Sequence, residues 1–213
     1  MIDPPALRSA LIAVARRLDA KGILTASDGN LSALLDDGAI LITPSGCCKG
    51  LVTEEDLVVV DADGTVRGEG RPSSEIALHR AVYEARPDVR CVIHAHPAYA
   101  TAFAVAGIPL DRPLLSESVL VLGAVPIAPY AMPSREDLGR AVGALARGHE
   151  AVLLEHHGAA VWGSSVEEAG FRMETLEHVA RIAWLSRLLG SRELPAAEVA
   201  ALEALRDRIR TNR

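Results

Sequence analysis

Residues 91–97, Cys-Val-Ile-His-Ala-His-Pro, are the most informative segment of this sequence. The β-rich run over 89–94 predicts a strand. Residues i and i+2 of a strand point to the same face, so His94 and His96 would project side by side, as two imidazoles must to bind one metal ion. A single pair of histidines on a strand is more often structural, so this pair needs support from elsewhere in the chain.

A second histidine pair follows another apolar run, in Leu-Leu-Glu-His-His-Gly at residues 153–158. Successive strand residues face opposite sides, so at most one of His156 and His157 can meet the first pair. Gly158 would let the backbone turn or approach a ligand closely. Three imidazoles from two strand ends, with one exchangeable position, form the pattern of a catalytic zinc site.

A third segment, Gly-Arg-Pro-Ser-Ser-Glu at residues 70–75, precedes a predicted helix over 75–85. Taken alone, it favours simple capping, with Ser73 or Ser74 as the N-cap. The functional interpretation is an anion site built from helix-start amides and serine hydroxyls, with the Glu75 carboxylate beside it. Glu75 and His79 are spaced i, i+4 and could form a metal pair, although a helical histidine at that spacing more often packs or hydrogen-bonds.

Two further segments have turn composition: Ser-Asp-Gly-Asn-Leu-Ser at residues 27–32 and Thr-Pro-Ser-Gly at residues 43–46. They are either ordinary turns or two loops that offer amides and hydroxyls to the same anion. Neither resembles a Walker loop, and the sequence contains no G-x-G-x-x-G. Nucleotide binding by those routes is therefore not supported.

Strand-like runs alternate with helix-like runs along the chain, and Asp-Gly turns at 37–38 and 63–64 indicate antiparallel pairing of the early strands. We predict one domain over residues 1–213, an α/β/α three-layer sandwich with a central mixed, mostly antiparallel sheet. The predicted helices are 4–21, 75–85, the segment after Pro97 through 105, 134–146 with Ser134 as cap, 166–189 and 196–209. The predicted strands are 31–35, 39–43, 57–61, 65–67, 89–94, 151–154 and 159–162. The run 119–125 fits a helix or a strand.

Composition excludes several classes of protein. The 213 residues are 49% hydrophobic and 23% charged, which rules out a disordered chain. A net charge of −6 argues against a nucleic-acid partner. The most apolar stretch, 119–132, is interrupted by glycine and prolines, so we expect no membrane span.

The three cysteines and the N-terminus indicate the compartment. Cys47 and Cys48 are adjacent, so no disulfide framework is readable, and the residues before the first helix lack the pattern of a signal peptide. We expect a cytoplasmic protein. The adjacent pair next to the 43–46 loop has no functional interpretation beyond small buried hydrophobes.

In this order, the five segments resemble the class II aldolase/adducin family, from about residue 11 to about residue 187. The motifs are Gly-Asn-Leu-Ser at 29–32, Thr-Pro-Ser-Gly at 43–46, Pro-Ser-Ser-Glu at 72–75, His-Ala-His-Pro at 94–97 and His-His-Gly at 156–158. Each motif is short, but five motifs in the right order are specific for the family.

The resemblance implies a zinc ion bound by His94, His96, His157 and Glu75, although another divalent metal is compatible with such a shell. It also implies a phosphorylated sugar as substrate and a homotetramer with active sites near the subunit interfaces. The phosphate would lie among residues of the three turn segments, namely Gly29, Asn30, Ser45, Gly46, Ser73 and Ser74.

Breaking a carbon–carbon bond next to a carbonyl leaves an enediolate, which either a Schiff-base lysine or a metal can stabilise. The chain has only two lysines, Lys21 and Lys49, so the metal is the better interpretation. We therefore expect a metal-dependent aldehyde-lyase with Glu75 as general base. It would cleave a ketose-1-phosphate of the fuculose, 5-deoxyribulose or 5-methylthioribulose type to dihydroxyacetone phosphate and an aldehyde.

Alternatives remain on the same fold. They are a metal-dependent decarboxylase, a sugar-phosphate epimerase and, less favoured, a non-enzymatic adducin-like protein. The epimerases carry aspartate where this chain has Glu75. The aldolase resemblance calls for a proton-donating tyrosine between Leu110 and Val125, and none is present there. Tyr130 is a substitute, although a packing role suits it better.

Overall fold

A computed structural model describes residues 5–211. Its strands are β1 Asn30–Leu34, β2 Ile40–Ile42, β3 Val58–Val60, β4 Val66–Arg67, β5 Cys91–Ala95, β6 Ile127–Ala128, β7 Ala151–Leu154 and β8 Gly158–Gly163. Its α-helices are α1 Pro5–Ala20, α2 Ile76–Ala85, α3 Ala98–Val105, α4 Glu136–Ala146, α5 Val166–Arg187 and α6 Ala196–Thr211. The first residue of the predicted N-terminal helix, Pro4, lies outside the described residues.

The eight strands form a sheet in the order β4-β3-β2-β1-β5-β8-β7-β6. Neighbouring strands pair antiparallel, except for β6 and β7, which are parallel. Helices cover both faces of the sheet. The predicted three-layer sandwich with a mixed, mostly antiparallel sheet is confirmed.

Strand alternation divides the interior into two cores. On one face, α1, α3 and α5 pack against residues such as Leu31, Ile93 and Leu153. On the other face, α2 and α4 pack against residues such as Val92 and Val152. Each strand residue therefore belongs to one face or the other, as the period of two requires.

The two predicted serine caps have different outcomes. Helix α2 has Glu75 at its N-cap position, but Ser73 Oγ accepts a hydrogen bond from the Glu75 backbone N–H over 3.3 Å, so Ser73 caps the turn that leads into this helix. Helix α4 has Arg135 at its N-cap position, so the prediction of Ser134 as its cap is wrong. Ser134 precedes α4 with a left-handed φ of 65° and donates a hydrogen bond to Ser74 Oγ over 2.9 Å. Ser74 and Ser134 therefore contact each other at the cavity, and the side chains at the N-cap positions of α2 and α4 make no capping hydrogen bond.

Two element predictions are refined. The ambiguous run 119–125 contains a π-helical turn, Ser118–Leu122, followed by an isolated bridge between Leu110 and Val125. Helix α5 ends at Arg187, two residues earlier than expected. Among residues 5–211, no helix combines the length and apolarity that crossing a membrane would require.

The sheet register brings the functional segments together. Asn30 in β1 lies opposite His94 in β5, and Ala95 lies opposite Ala159 in β8. Two glycines permit this approach: a Cβ at Gly29 would lie 2.7 Å from the His94 carbonyl oxygen, and one at Gly158 would lie 2.5 Å from that of Ala95. Any larger residue would push these three strand ends apart.

Candidate metal centre and substrate cavity

Three of the predicted histidines meet at the ends of β5 and β8. The rings of His94, His96 and His157 have centroids 4.7 to 4.9 Å apart, and one nitrogen from each lies within 4.8 Å of the others. His156 is exposed and adopts a left-handed φ of 54° in the turn before β8. That turn sends His157 to the cluster and His156 away from it, as expected for one of the two.

Glu75 lies beside these rings at the start of α2. Its Oε2 is 3.2 Å from His94 Nε2, and its Oε1 is 3.4 Å from His157 Nε2. The carboxylate is nearly buried, at 9% residue exposure. All four residues that the sequence predicts as metal ligands therefore lie together.

The donor set fits a cation. His94 Nδ1 lies 3.0 Å from the Ala159 carbonyl oxygen, to which it can donate only as an N–H, so a neutral His94 has its lone pair on Nε2. That nitrogen lies 3.1 Å from His96 Nε2 and close to the Glu75 carboxylate. Within residues 5–211, Glu75 Oε1 and His157 Nδ1 are buried without a hydrogen-bond partner. Acceptors that face one another in this way suit a divalent metal ion.

The pKa shifts in the cluster also favour metal binding. Burial alone raises the pKa of Glu75, but its close contact with His94, followed by the Asn30 amide, outweighs burial and holds that pKa well below its usual range. Burial and then the nearby His94 lower the pKa of His157 to about 4, and they lower that of His96 as well. An ionised carboxylate beside neutral imidazoles is the protonation state that metal binding requires.

A chain of buried hydrogen bonds leads from Glu75 into the core. The Asn30 side-chain amide donates to Glu75 Oε2 over 2.9 Å, so its oxygen accepts from His79 Nε2. His79 Nδ1 then accepts from Ser32 Oγ over 2.7 Å, and Ser32 Oγ accepts from the Tyr83 hydroxyl over 2.7 Å. This sequence of donors assigns each proton in the chain.

His79 has a supporting position in this chain. Both of its ring nitrogens are engaged by Ser32 and Asn30, and the residue is fully buried. The spacing of Glu75 and His79 therefore serves hydrogen bonding, which is the interpretation the sequence favoured. Burial, followed by the nearby His94, lowers the pKa of His79 to about 3, so the His79 ring is neutral.

A cavity of about 220 Å³ opens beside the cluster. All the residues predicted to bind phosphate line it: Gly29, Asn30, Ser45, Gly46, Ser73 and Ser74. It is also lined by Glu75, His96 and His157. The Asn30 side chain already contacts Glu75 and His79, so it also positions the carboxylate.

The cavity has further lining residues that the sequence did not single out for the site. They are Ser27, Asp28, Lys49, Pro133 and Ser134. Asp28 Oδ2 lies 3.4 Å from His96 Nδ1, where it can hold that ring in place. For Ser27 and Asp28, position within the 27–32 segment was the sequence signal that could have indicated a place in the site. Lys49 and Ser134 had no motif to mark them.

The tyrosines lie elsewhere. Tyr130 is 55% exposed and lies 6.5 Å from the exposed His156 ring, and it does not line the cavity. Tyr83 lies on the buried side of α2, and Tyr99 packs near Trp184. Tyr130 is an exposed residue, whereas the sequence favours a half-buried packing role for it.

Comparisons with known proteins agree on one family. A family profile described as "Class II Aldolase and Adducin N-terminal domain" matches residues 9–184. The 3-oxo-tetronate 4-phosphate decarboxylase of Escherichia coli strain K12 is 35% identical over 202 residues, which cover 93% of this chain and 95% of the relative.

Two aldolases are also similar. The 5-methylthioribulose-1-phosphate/5-deoxyribulose-1-phosphate aldolase of Rhodospirillum rubrum is 34% identical, covering 91% of this chain and 88% of the relative. A solved structure of an L-fuculose 1-phosphate aldolase superposes with a TM-score of 0.88 at 30% identity, covering 95% of this chain and 97% of that one. The similarity to an L-fuculose-1-phosphate aldolase is therefore confirmed, and it extends to enzymes that carry out a different reaction.

Proposed function

Because this chain belongs to the class II aldolase and adducin family, we propose that it is a metal-dependent decarboxylase of a phosphorylated 3-oxo sugar acid. The substrate would be of the 3-oxo-tetronate 4-phosphate type, and the products dihydroxyacetone phosphate and CO2. Aldol cleavage of a ketose-1-phosphate, the reaction expected from the motifs, is the second candidate and is supported by the aldolase relative.

The observation that carries the proposal is a cavity without tyrosine among the described residues that line it. Aldol cleavage removes a proton from the hydroxyl that becomes the aldehyde, so a group must receive it there. CO2 leaves without any proton transfer at the departing group. A site whose buried acid–base group is Glu75 therefore suits decarboxylation, in which one proton is delivered to carbon.

In the proposed reaction, the bond between C1 and C2 of the sugar acid breaks, and C1 leaves as CO2. The electron pair of the broken bond forms an enediolate across C2 and C3. C2 then takes one proton to give the hydroxymethyl group of dihydroxyacetone phosphate. That proton comes from solvent, and we assign its transfer to Glu75, the buried carboxylate beside the histidines, which would take up the proton and pass it to C2.

The remaining residues bind and orient. His94, His96 and His157, with Glu75, would hold the metal. A divalent ion held there would act as a Lewis acid and stabilise the negative charge that develops on the C3 oxygen. Gly29, Ser45, Gly46, Ser73 and Ser74 would bind the phosphate, with Asn30 at their edge. This remote contact fixes the orientation of the reacting carbons.

Three expectations stay part of the proposal: Zn²⁺ as the metal, a homotetramer with sites near its interfaces, and a cytoplasmic location. Elemental analysis of the purified protein identifies the metal. Light scattering on the eluted peak gives the oligomeric state. A tagged chain fractionated from its own host tests the location.

The deciding experiment measures the co-product, because both candidate reactions leave dihydroxyacetone phosphate. Metal-loaded protein is given 3-oxo-tetronate 4-phosphate in one assay and L-fuculose-1-phosphate in another. We expect CO2 from the first, with little aldehyde from the second. Glu75→Gln should lower CO2 release by about 10²-fold or more. Aldehyde release that exceeds CO2 release would reverse the order of the two candidates.

A further inference from the structure

Lys49 is a buried cation that the roles described above leave unused. It belongs to the loop that follows Ser45 and Gly46, and its residue exposure is only 2%. Its ammonium nitrogen donates to two backbone carbonyls, those of Ser27 and Cys47, each over 2.7 Å. The lysine thereby ties the 43–46 loop to the 27–32 loop.

Burial lowers the pKa of Lys49, and the charges around it, those of Asp28 and Glu75 among them, offset only part of that effect. Carbonyl oxygens are neutral acceptors, and no carboxylate oxygen lies within 4.0 Å of Lys49 Nζ among residues 5–211. Burying an ammonium ion without an anionic partner costs free energy. An ammonium has three N–H donors, and two of them are accounted for. The third has no protein acceptor among these residues.

Lys49 also lines the cavity that contains Glu75, His96 and His157. Among the described residues that line it, Lys49 is the only lysine or arginine, whereas Asp28 and Glu75 are acidic. An anionic substrate that enters this cavity therefore meets a single side-chain cation apart from any bound metal.

We propose that Lys49 binds the phosphate group of the substrate and so selects phosphorylated over unphosphorylated ligands at this site. The proposal rests on the proposed function, because it takes the substrate to be a phosphate ester. Lysine is a common point-charge partner of phosphate, and hydrogen bonds between two ionised groups are the stronger ones.

The position of Lys49 favours the phosphate over the reacting end of the substrate. It hydrogen-bonds to both loops that carry the predicted phosphate residues Gly29, Ser45 and Gly46. The metal-ligating groups come instead from the strand ends and from the start of α2. A Schiff-base role is not favoured, because an ammonium that donates to two carbonyls holds no free electron pair.

The chain offers a matched control, since Lys21 is its only other lysine. Lys21 lies on the surface with a 51% exposed side chain paired to Glu174. Selective ¹³C labelling of lysine at Cε therefore gives two side-chain signals. Titrating the wild-type protein with inorganic phosphate should shift the Lys49 signal and leave the Lys21 signal in place. Chloride at matched ionic strength serves as the blank.

Calorimetry on variants gives a second measurement. Lys49→Met should weaken phosphate binding at least about tenfold, as loss of a charge-assisted bond implies, while Lys21→Met should match the wild type. Thermal melting and metal content check that Lys49→Met is folded. Because the labelling experiment uses the wild-type chain, a misfolded variant does not remove the test.

Three outcomes would overturn the proposal: no saturable phosphate binding by the wild type, binding without movement of the Lys49 signal, or a folded Lys49→Met protein that binds phosphate as the wild type does. The test is separate from the CO2 assay. If phosphate shifts Lys49 but no CO2 is released, the assigned reaction is wrong and the lysine assignment stands.

Discussion

The two faces of the same strands serve different purposes. Toward α1, α3 and α5, strands β1 and β5 present apolar residues such as Leu31, Ala33 and Ile93. Toward α2, the alternate positions of the same strands include Asn30, Ser32 and His94. Along β1 and β5, one face is entirely apolar, whereas the other adds polar groups at fixed positions to the second apolar core.

The polar face avoids the cost of buried polar groups by completing its hydrogen bonds. Ser32, His79 and Tyr83 are all buried, and each has a partner at about normal hydrogen-bond distance. Unpaired, each would cost about 1–3 kcal/mol. The comparison implies that substitutions on the apolar face change stability alone, whereas those on the polar face also change metal binding.

The largest loss of activity should come from a substitution at His157, which lies at the end of the polar face. His157→Asn removes one imidazole from the cluster, and we expect metal content to fall and activity to drop about a thousandfold, since a catalytic metal contributes several kcal/mol. His156→Asn is the matched control, because that neighbour is exposed and asparagine tolerates its left-handed backbone. Elemental analysis and turnover are measured on both. Equal metal content in the two variants would contradict the assignment of His157.

A substitution on the apolar face should lower the free energy of unfolding. Leu153 is fully buried in β7 on that face, so Leu153→Ala should cost about 3 kcal/mol through lost burial and a cavity. Urea unfolding measures the change. Activity per folded molecule and metal content should match the wild type. A large fall in metal affinity would show that the two faces are not separable.

The sequence could predict the histidine cluster because its signal is local. His94 and His96 are two residues apart, and His157 directly precedes a glycine at the start of a strand. The order of five short motifs then indicated the family, and with it the fold and the placement of Glu75 beside the histidines.

The failures share one physical cause, which is contact between distant segments. Ser74 and Ser134 have the residue type and position of helix caps, but they hydrogen-bond to each other at the cavity across 60 residues of sequence. Lys49 has no flanking motif, and its burial depends on the carbonyl of Ser27, 22 residues away. No local pattern encodes such a pairing.

An intermediate effect should come from the middle of the hydrogen-bond chain. His79→Phe leaves Asn30 and Ser32 without their partner, so we expect a loss of about 1–3 kcal/mol in stability and about tenfold weaker metal binding, because Asn30 orients Glu75. Tyr83→Phe, at the far end of the chain, is the control and should cost about 1 kcal/mol with little change in metal affinity. Unchanged metal affinity in His79→Phe would confine this chain to a structural role.

The smallest predicted effect is a difference in how the free energy of unfolding depends on pH. Burial lowers the pKa of His79 to about 3, whereas histidine in the unfolded chain titrates near 6.5. The folded state therefore keeps His79 neutral while the unfolded state takes up a proton. Its contribution to stability is complete above about pH 6.5 and is lost progressively as pH falls toward 3.

This contribution can be isolated by subtraction. In chelator-treated protein, the free energy of unfolding of the wild type should fall more steeply below pH 6.5 than that of His79→Phe, by at most about 1.4 kcal/mol per pH unit, which corresponds to one proton. The other histidines whose pKa is lowered, His96 and His157, contribute to both slopes and cancel in the difference. Urea titrations at several pH values between 7 and 5 measure it. Parallel curves would mean that His79 is protonated in the folded protein, and the order of donors from Tyr83 to Glu75 would then have to be reassigned.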